Sequence, residues 1–308
     1  MTRIPQSLMA ALLILALSAA IPALVAAEAN SELECGTELS PETRAVLLQR
    51  ALEDRYSLPA IAEGTTFCMP IAIHIVRDDD GNGGISQAQL DQGLIDVNTH
   101  ELYVNTDISF YYLPDIDYID DDTYYSIDSS AESDALRGIN RVANAINVYF
   151  VPEFPGACGR ASFSPDAVQG IVMNNDCTGV SNNPTTYPHE LGHYFDLLHT
   201  HDTGNGVELV DGSNCATAGD LLCDTPADPR LTDKVDASCN YFGTDTDPNG
   251  DSYNPDTSQL MSYSRKLCRV NVTPEGEARA LTSMLIARAD LLNCPPIADC
   301  GGPYVAEC

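Results

Sequence analysis

The chain has 308 residues and carries 45 acidic against 15 basic side chains, a formal net charge of −30. An excess of that size repels polyanions and excludes nucleic acid or an anionic membrane surface as the partner to look for first. Its 11 cysteines imply disulfides in an oxidising compartment, since no Cys-x2-Cys pair offers the spacing of a zinc-thiolate cluster.

Met1-Thr2-Arg3 precedes an apolar run from Leu8 to Ala27, and Val25-Ala26-Ala27 supplies small residues at a cleavage point. Residues 1–27 therefore read as a removed signal and the protein as secreted, a membrane anchor being the alternative for that run. Nothing later is apolar enough to cross a bilayer, so no stable membrane association is expected once the signal has gone. Next come Cys35-Gly36-Thr37 and an amphipathic stretch, Pro41 to Tyr56, that reads as a short helix. Ile71 to Arg77 alternates and is β-rich, which makes His74 a strand residue rather than a ligand. Asp78-x-Asp80-x-Asn82-Gly83 has the oxygen pattern of a calcium loop but Gln89 at its twelfth position, so a tight turn is the simpler reading. Ser86 to Leu102 reads as helix, Ile108 to Leu113 as strand, Ser130 to Val142 as helix and Ile146 to Val151 as strand. Gly170 to Asn174 is expected to be the edge strand along which a peptide lies by β-augmentation.

The next helix, about Thr186 to Phe195, holds His189-Glu190-Leu191-Gly192-His193, with His199 following. Residues four apart share a helix face, so His189 and His193 can bind one Zn²⁺ through neutral imidazole. Glu190 is placed to reach a water on that ion, as a general base in hydrolysis must. His199 lies too far on for a continuing helix, so the chain has to turn back to offer it as third ligand; His201 is the spare. Three protein ligands leave one position open, the catalytic arrangement. Further on, Asp245-x-Asp247-x-Asn249-Gly250-Asp251 reads as a Ca²⁺ loop. Thr273 and Pro274 cap a last helix running to Leu292. Cys215 with Cys223 and Cys158 with Cys177 are candidate disulfides, although sequence does not fix connectivity.

The stretch from His189 to His201 resembles the long zinc motif of metzincin metallopeptidases. Together with Gly219-Asp220-Leu221-Leu222-Cys223-Asp224-Thr225-Pro226 and Gln259-Leu260-Met261-Ser262-Tyr263-Ser264, it resembles the pappalysin family over roughly residues 66–294. That resemblance implies an α/β (α+β) metzincin-like zincin. Its parts are a twisted mixed sheet, backing and active-site helices, and an irregular C-terminal subdomain with Met-turn and C-terminal helix. It implies a zinc endopeptidase acting on proteins or peptides, with Met261 as a floor beneath the metal and Tyr263 steadying the oxyanion. It further suggests a Cys239–Cys268 pair and calcium near Asp224 and Thr225. Residues 28–65 become a propeptide, with Arg55 as an accessible-looking cleavage site. Cys35 is then either a latency switch whose thiolate occupies the open zinc position or a disulfide partner of Cys68. Relatives that cleave before basic residues carry an acid between the Met-turn tyrosine and the next cysteine. Ser264-Arg265-Lys266-Leu267 has none, so no basic preference is expected there.

One residue departs from the pattern: the glycine three positions after the second zinc histidine is Asp196. Aspartate tolerates the left-handed region the turn demands, at about 1 kcal/mol of strain. The rival reading, a catalytically inactive calcium-dependent binding or adhesion protein on the same scaffold, draws on Asp196 and is opposed by the intact Glu190. The final stretch, 295–308, resembles the first strand of a polycystic-kidney-disease-type module or is a linker.

Overall fold

The computed structural model describes residues 34–53 and 65–294. The signal expected at 1–27, the cleavage site expected at Arg55 and the tail 295–308 lie outside them. Phe67–Arg77 (β2) is the spine of the sheet, pairing in parallel with Ile108–Asp120 (β3) on one side and Ile146–Val151 (β4) on the other. A strand between two parallel neighbours needs both faces covered, and Met69 to Val76 are buried without a break. Met69, Ile71, Ile73 and Ile75 face the main core, while Val76 joins Leu136, Tyr149 and Val151 on the opposite face. His74 is a satisfied strand residue: its ring nitrogens meet the Asp117 carboxylate at 2.8 Å and the Asn147 amide oxygen at 3.0 Å.

Beyond β4 come Ile171–Asn174 (β6), parallel to it, and Ala157–Ala161 (β5), antiparallel to β6. A short strand from the leading segment, Glu34–Cys35 (β1), pairs in parallel with β5 and gives the order β1-β5-β6-β4-β2-β3. The expected edge strand at Gly170 to Asn174 is therefore an interior strand. On this side the outermost strand of the 65–294 unit is β5, whose Ala-Cys-Gly-Arg-Ala sequence has none of the branched or aromatic residues that mark a strand.

Helices lie where hydrophobic spacing places them but differ in length. Pro41–Glu53 (α1) belongs to the leading segment. Gln87–Thr99 (α2) starts at a Ser86–Gln89 capping box and is followed by the short Glu101–Asn105 (α3). Ser130–Leu136 (α4) stops well before Val142, because Gly138 follows and Asn140 takes φ 48°. Thr186–Tyr194 (α5) crosses the main core. Pro274–Thr282 (α6) has Thr273 as its cap and changes into a π-turn at Ser283–Ala287 before reaching Leu292.

Disulfides link Cys158 to Cys177, Cys215 to Cys223, Cys239 to Cys268 and Cys68 to Cys294. The last excludes the alternative Cys35–Cys68 pair and leaves Cys35 free. It ties the start of β2 to the end of the C-terminal helical turn. Replacing Cys68 and Cys294 together by serine should lower the unfolding free energy by about 2–4 kcal/mol, measured by urea denaturation. An unchanged midpoint would show that this tie restrains nothing in the unfolded chain.

Candidate metal centre

Every residue of α5 is buried, so its polar side chains must find partners inside the protein. The i, i+4 repeat stacks His189 and His193 on one face, ring centroids 4.8 Å apart. The helix then ends in a Schellman turn: Asp196 N–H donates to the His193 carbonyl at 2.9 Å and Leu197 N–H to the Gly192 carbonyl at 3.0 Å. Asp196 occupies the left-handed position at φ 67°. This reversal buries Leu197 and Leu198 and brings the His199 ring to 4.4 Å from His193 and 5.3 Å from His189.

The Asp196 side chain is used as fully as its backbone. Its carboxylate accepts from Ser164 N–H at 2.8 Å, Ser164 hydroxyl at 2.6 Å and Ser283 hydroxyl at 2.8 Å. Arg50 of α1 adds a longer contact at 3.3 Å. Glycine would make the turn without strain, but it could not tie α5 to the β5–β6 connection and to the π-turn after α6.

Backbone carbonyls fix the imidazole tautomers. Nδ1 of His189 lies 2.7 Å from the Leu260 carbonyl and Nδ1 of His193 lies 2.7 Å from the Leu197 carbonyl. A carbonyl only accepts, so both Nδ1 atoms donate and both Nε2 atoms present lone pairs. Burial holds His189 and His199 well below the ordinary histidine range and His193 down at about 4, so the rings are neutral, the form that ligates. One donor atom from each of Cys35, His189, His193 and His199 lies within 4.8 Å of the others. Nε2 of His189 has no hydrogen-bond partner, and Nε2 of His193 faces Nε2 of His199 at 3.0 Å. Converging, unpartnered lone pairs fit a metal ion. His201 stands outside this group, stacked on His199 at 5.0 Å.

Around the cluster, Met261 is buried against α5 at Gly192, where an added Cβ would lie 2.6 Å from its sulfur. Glu190 is fully buried, and burial pushes its carboxyl up to about 7. The leading segment reaches Glu190 and also Tyr263. Thr37 hydroxyl donates to Glu190 Oε2 at 3.0 Å and accepts from Ala161 N–H at 2.9 Å. Tyr263 hydroxyl donates to the Cys35 carbonyl at 2.9 Å. Burial, then the Glu190 charge, pushes the Cys35 thiol up. Thr37 was missed in the sequence, where nothing but its closeness to Cys35 marks it.

Several of the residues expected to hold calcium also meet protein groups. Asp245 pairs with Lys234 at 2.9 Å and accepts from Tyr241. Asp247 Oδ1 accepts the N–H groups of Asn249 and Asp251, and its Oδ2 that of Val210. Asp224 accepts from Glu275 N–H at the start of α6, and Thr225 hydroxyl meets Thr273. Asp78 serves its own turn in the same way. Glu208 lines a cavity of about 550 Å³ with Asp228, its Oε2 is buried without a partner, and burial with the Asp220 and Asp228 charges pushes it up to about 8.

No family model matches the sequence. An extracellular metalloprotease of Colletotrichum graminicola is 27% identical over 286 residues, 87% of this chain and 94% of that protein. An extracellular metalloprotease of Verticillium alfalfae is 30% identical over 142 residues, 42% of this chain and 46% of that protein. Among solved structures, mature mirolysin of Tannerella forsythia with a cleaved peptide superposes with a TM-score of 0.54 at 18% identity, covering 76% of this chain and 97% of mirolysin. Promirolysin from the same organism gives a TM-score of 0.59 at 16% identity, covering 84% and 97%. The chain has the metzincin-like fold of mirolysin. Its curated relatives at these identities are fungal extracellular metalloproteases.

Asp196→Ala should cost about 1–3 kcal/mol from left-handed strain and lost hydrogen bonds, and Asp196→Asn markedly less. Thermal unfolding with metal analysis of both variants checks this; equal losses would show that the carboxylate's charge, not tolerance of the left-handed conformation, is what residue 196 supplies.

Proposed function

We propose that this chain is the precursor of a secreted zinc endopeptidase of the pappalysin type. The observation that carries this reading is the convergence of three neutral imidazoles, a buried carboxylate and a phenol on one point. Secretion is supported by the disulfides and by relatives named extracellular metalloproteases. The pappalysin assignment is supported by the segment from Gly219 to Pro226 and the turn from Gln259 to Ser264, of which the latter packs directly against the cluster.

Zn²⁺ held by His189, His193 and His199 would supply Lewis-acid polarisation of water and of the scissile carbonyl. Glu190 takes the proton of the attacking water and passes it to the leaving amine. With the leading segment in place, burial lifts this carboxyl to about 7. Tyr263 donates its phenol to the oxyanion of the tetrahedral intermediate. The outer edge of β5 receives the substrate backbone. The interval Ser264 to Leu267 carries two cations and no acid, so basic side chains are not favoured after the scissile bond. Calcium, the second cation in this reading, is assigned to the Asp245–Asp251 loop and to the neighbourhood of Asp224 and Thr225.

Residues 28–65 act as a pro-segment. Cys35 brings its thiol to the imidazoles, its carbonyl occupies the Tyr263 phenol, and Thr37 occupies Glu190. Base, oxyanion donor and ligand cluster are all covered by three consecutive residues.

Glu190→Ala, in chain activated by proteolysis, should lower kcat/KM on quenched casein by about 10²- to 10⁴-fold while bound zinc stays at one per chain. Retained hydrolysis would remove Glu190 from the mechanism, and an inert wild type with zinc bound would favour the scaffold reading. Cys35→Ala should let the unprocessed chain cleave casein faster than its parent. If the two are equally slow, the thiol is not what keeps the chain latent.

A further inference from the structure

Helix α1 sits beside the metal cluster on a surface that the rest of the chain builds without its help. Thr43, Leu47 and Ala51, four residues apart, form its buried stripe. Leu47 and Ala51 pack with Phe163, Leu198 and Leu221. Three carboxylates surround that apolar patch, and each is already aimed by amide groups of the 65–294 unit. Asp166 accepts from Phe163 N–H at 2.8 Å, Asp196 from Ser164 N–H at 2.8 Å and Asp202 from Gly204 N–H at 2.9 Å. Each carboxylate then meets α1. Thr43 hydroxyl donates to Asp166, Arg50 reaches Asp196 at 3.3 Å, and Arg44 forks onto both oxygens of Asp202 at 2.6 and 3.2 Å.

The geometry points to a preorganised docking surface that binds Glu38–Glu53 as a separate molecule, so that this segment remains on the enzyme, or returns to it, after the chain is cut between Glu53 and Thr65. The inference rests on the pro-segment reading above. Because the acceptors are held by backbone amides, they stay oriented when α1 leaves, and rebinding requires little reorganisation. The occupant is recognised by its chemistry: a short amphipathic helix whose buried i, i+4, i+8 stripe is a threonine hydroxyl followed by two apolar side chains, with arginines flanking it. Glu42 and Glu53 of α1 face solvent and take no part. The bidentate Arg44–Asp202 pair should carry most of the selectivity, since Arg44 is 20% exposed in this contact and Arg50 is 45% exposed.

The test uses the full chain nicked by limited proteolysis between Glu53 and Thr65. Size-exclusion chromatography with mass analysis should find the leading fragment co-eluting with the body at low salt and partly released at high salt. A labelled peptide spanning Glu38–Glu53, which lacks Cys35 and Thr37, should bind the body stripped of its fragment, read by fluorescence anisotropy. Arg44→Asp in the peptide should weaken binding about tenfold, and Asp202→Arg in the body should recover most of that loss. Separate elution with no peptide binding, or binding indifferent to Arg44, overturns the proposal. Both readouts are independent of catalysis. A body stripped of its leading fragment that cleaves casein without binding the peptide sinks this inference alone, and a stripped body that binds the peptide yet cleaves nothing in the peptide's absence sinks the peptidase reading alone.

Discussion

Everything at the cluster depends on the chain leaving α5 at one place and in one direction. On a continuing helix His199 would lie about 9 Å further along the axis than His193 and point elsewhere. The left-handed residue at 196 converts that divergence into convergence, sending Leu197 and Leu198 inward and His199 back over His193. For aspartate the conformation costs about 1 kcal/mol. The hydrogen bonds to Ser164 and Ser283 offset it, and they join the helix end to two elements distant in sequence. The same carboxylate is thus a backbone device, a tertiary tie and part of the surface under α1. A glycine could perform only the first of these.

The reach of Cys35-Gly36-Thr37 follows from strand geometry. Side chains in an extended segment alternate, so Cys35 and Thr37 point to one side and the residue between them to the other. Pairing of Cys35 with Gly159 on β5 turns that side toward the imidazoles and Glu190. The middle position has little space: a Cβ on Gly36 would come within 3.1 Å of the Ala157 side chain. Gly159 opposite has a matching restriction, since its Cβ would lie 2.6 Å from Glu190 Cγ. Two glycines therefore let a backbone approach a buried carboxylate closely.

What could be read from the sequence was periodic or punctuated. The i, i+4 histidines, the Ser86 and Thr273 caps, the alternating β2 and the apolar β4 all follow from spacing and residue type. Elements shaped by long-range contacts left little trace. β5 is a strand because β6 and β1 pair with it, and its composition alone argues otherwise. The Cys68–Cys294 link joins residues 226 apart, a separation no local pattern records. Asp245-x-Asp247-x-Asn249-Gly250 reads alike whether its oxygens face an ion or its own amides. The structure shows amides meeting Asp247 and Lys234 meeting Asp245.

The stretch from Asp196 to Thr273 has little regular secondary structure, yet it holds His199, Met261 and Tyr263 in place. A segment of that kind leaves many carbonyls without ladder partners, and buried carbonyls need donors. Buried arginines meet the need at its ends and along its flank. Arg269 donates to Ser264 O, Arg279 to Asp220 O and Leu221 O, and Arg288 to Tyr194 O and Ser162 O. A guanidinium suits this work because its donors are several, planar and permanently charged. In a chain with three times as many acids as bases, these cations are bound to main-chain oxygen rather than scattered over an acidic surface. With the Cys215–Cys223 and Cys239–Cys268 links, they do for the irregular half what hydrogen-bonded ladders do for the sheet. Two unlike frameworks thus meet at α5.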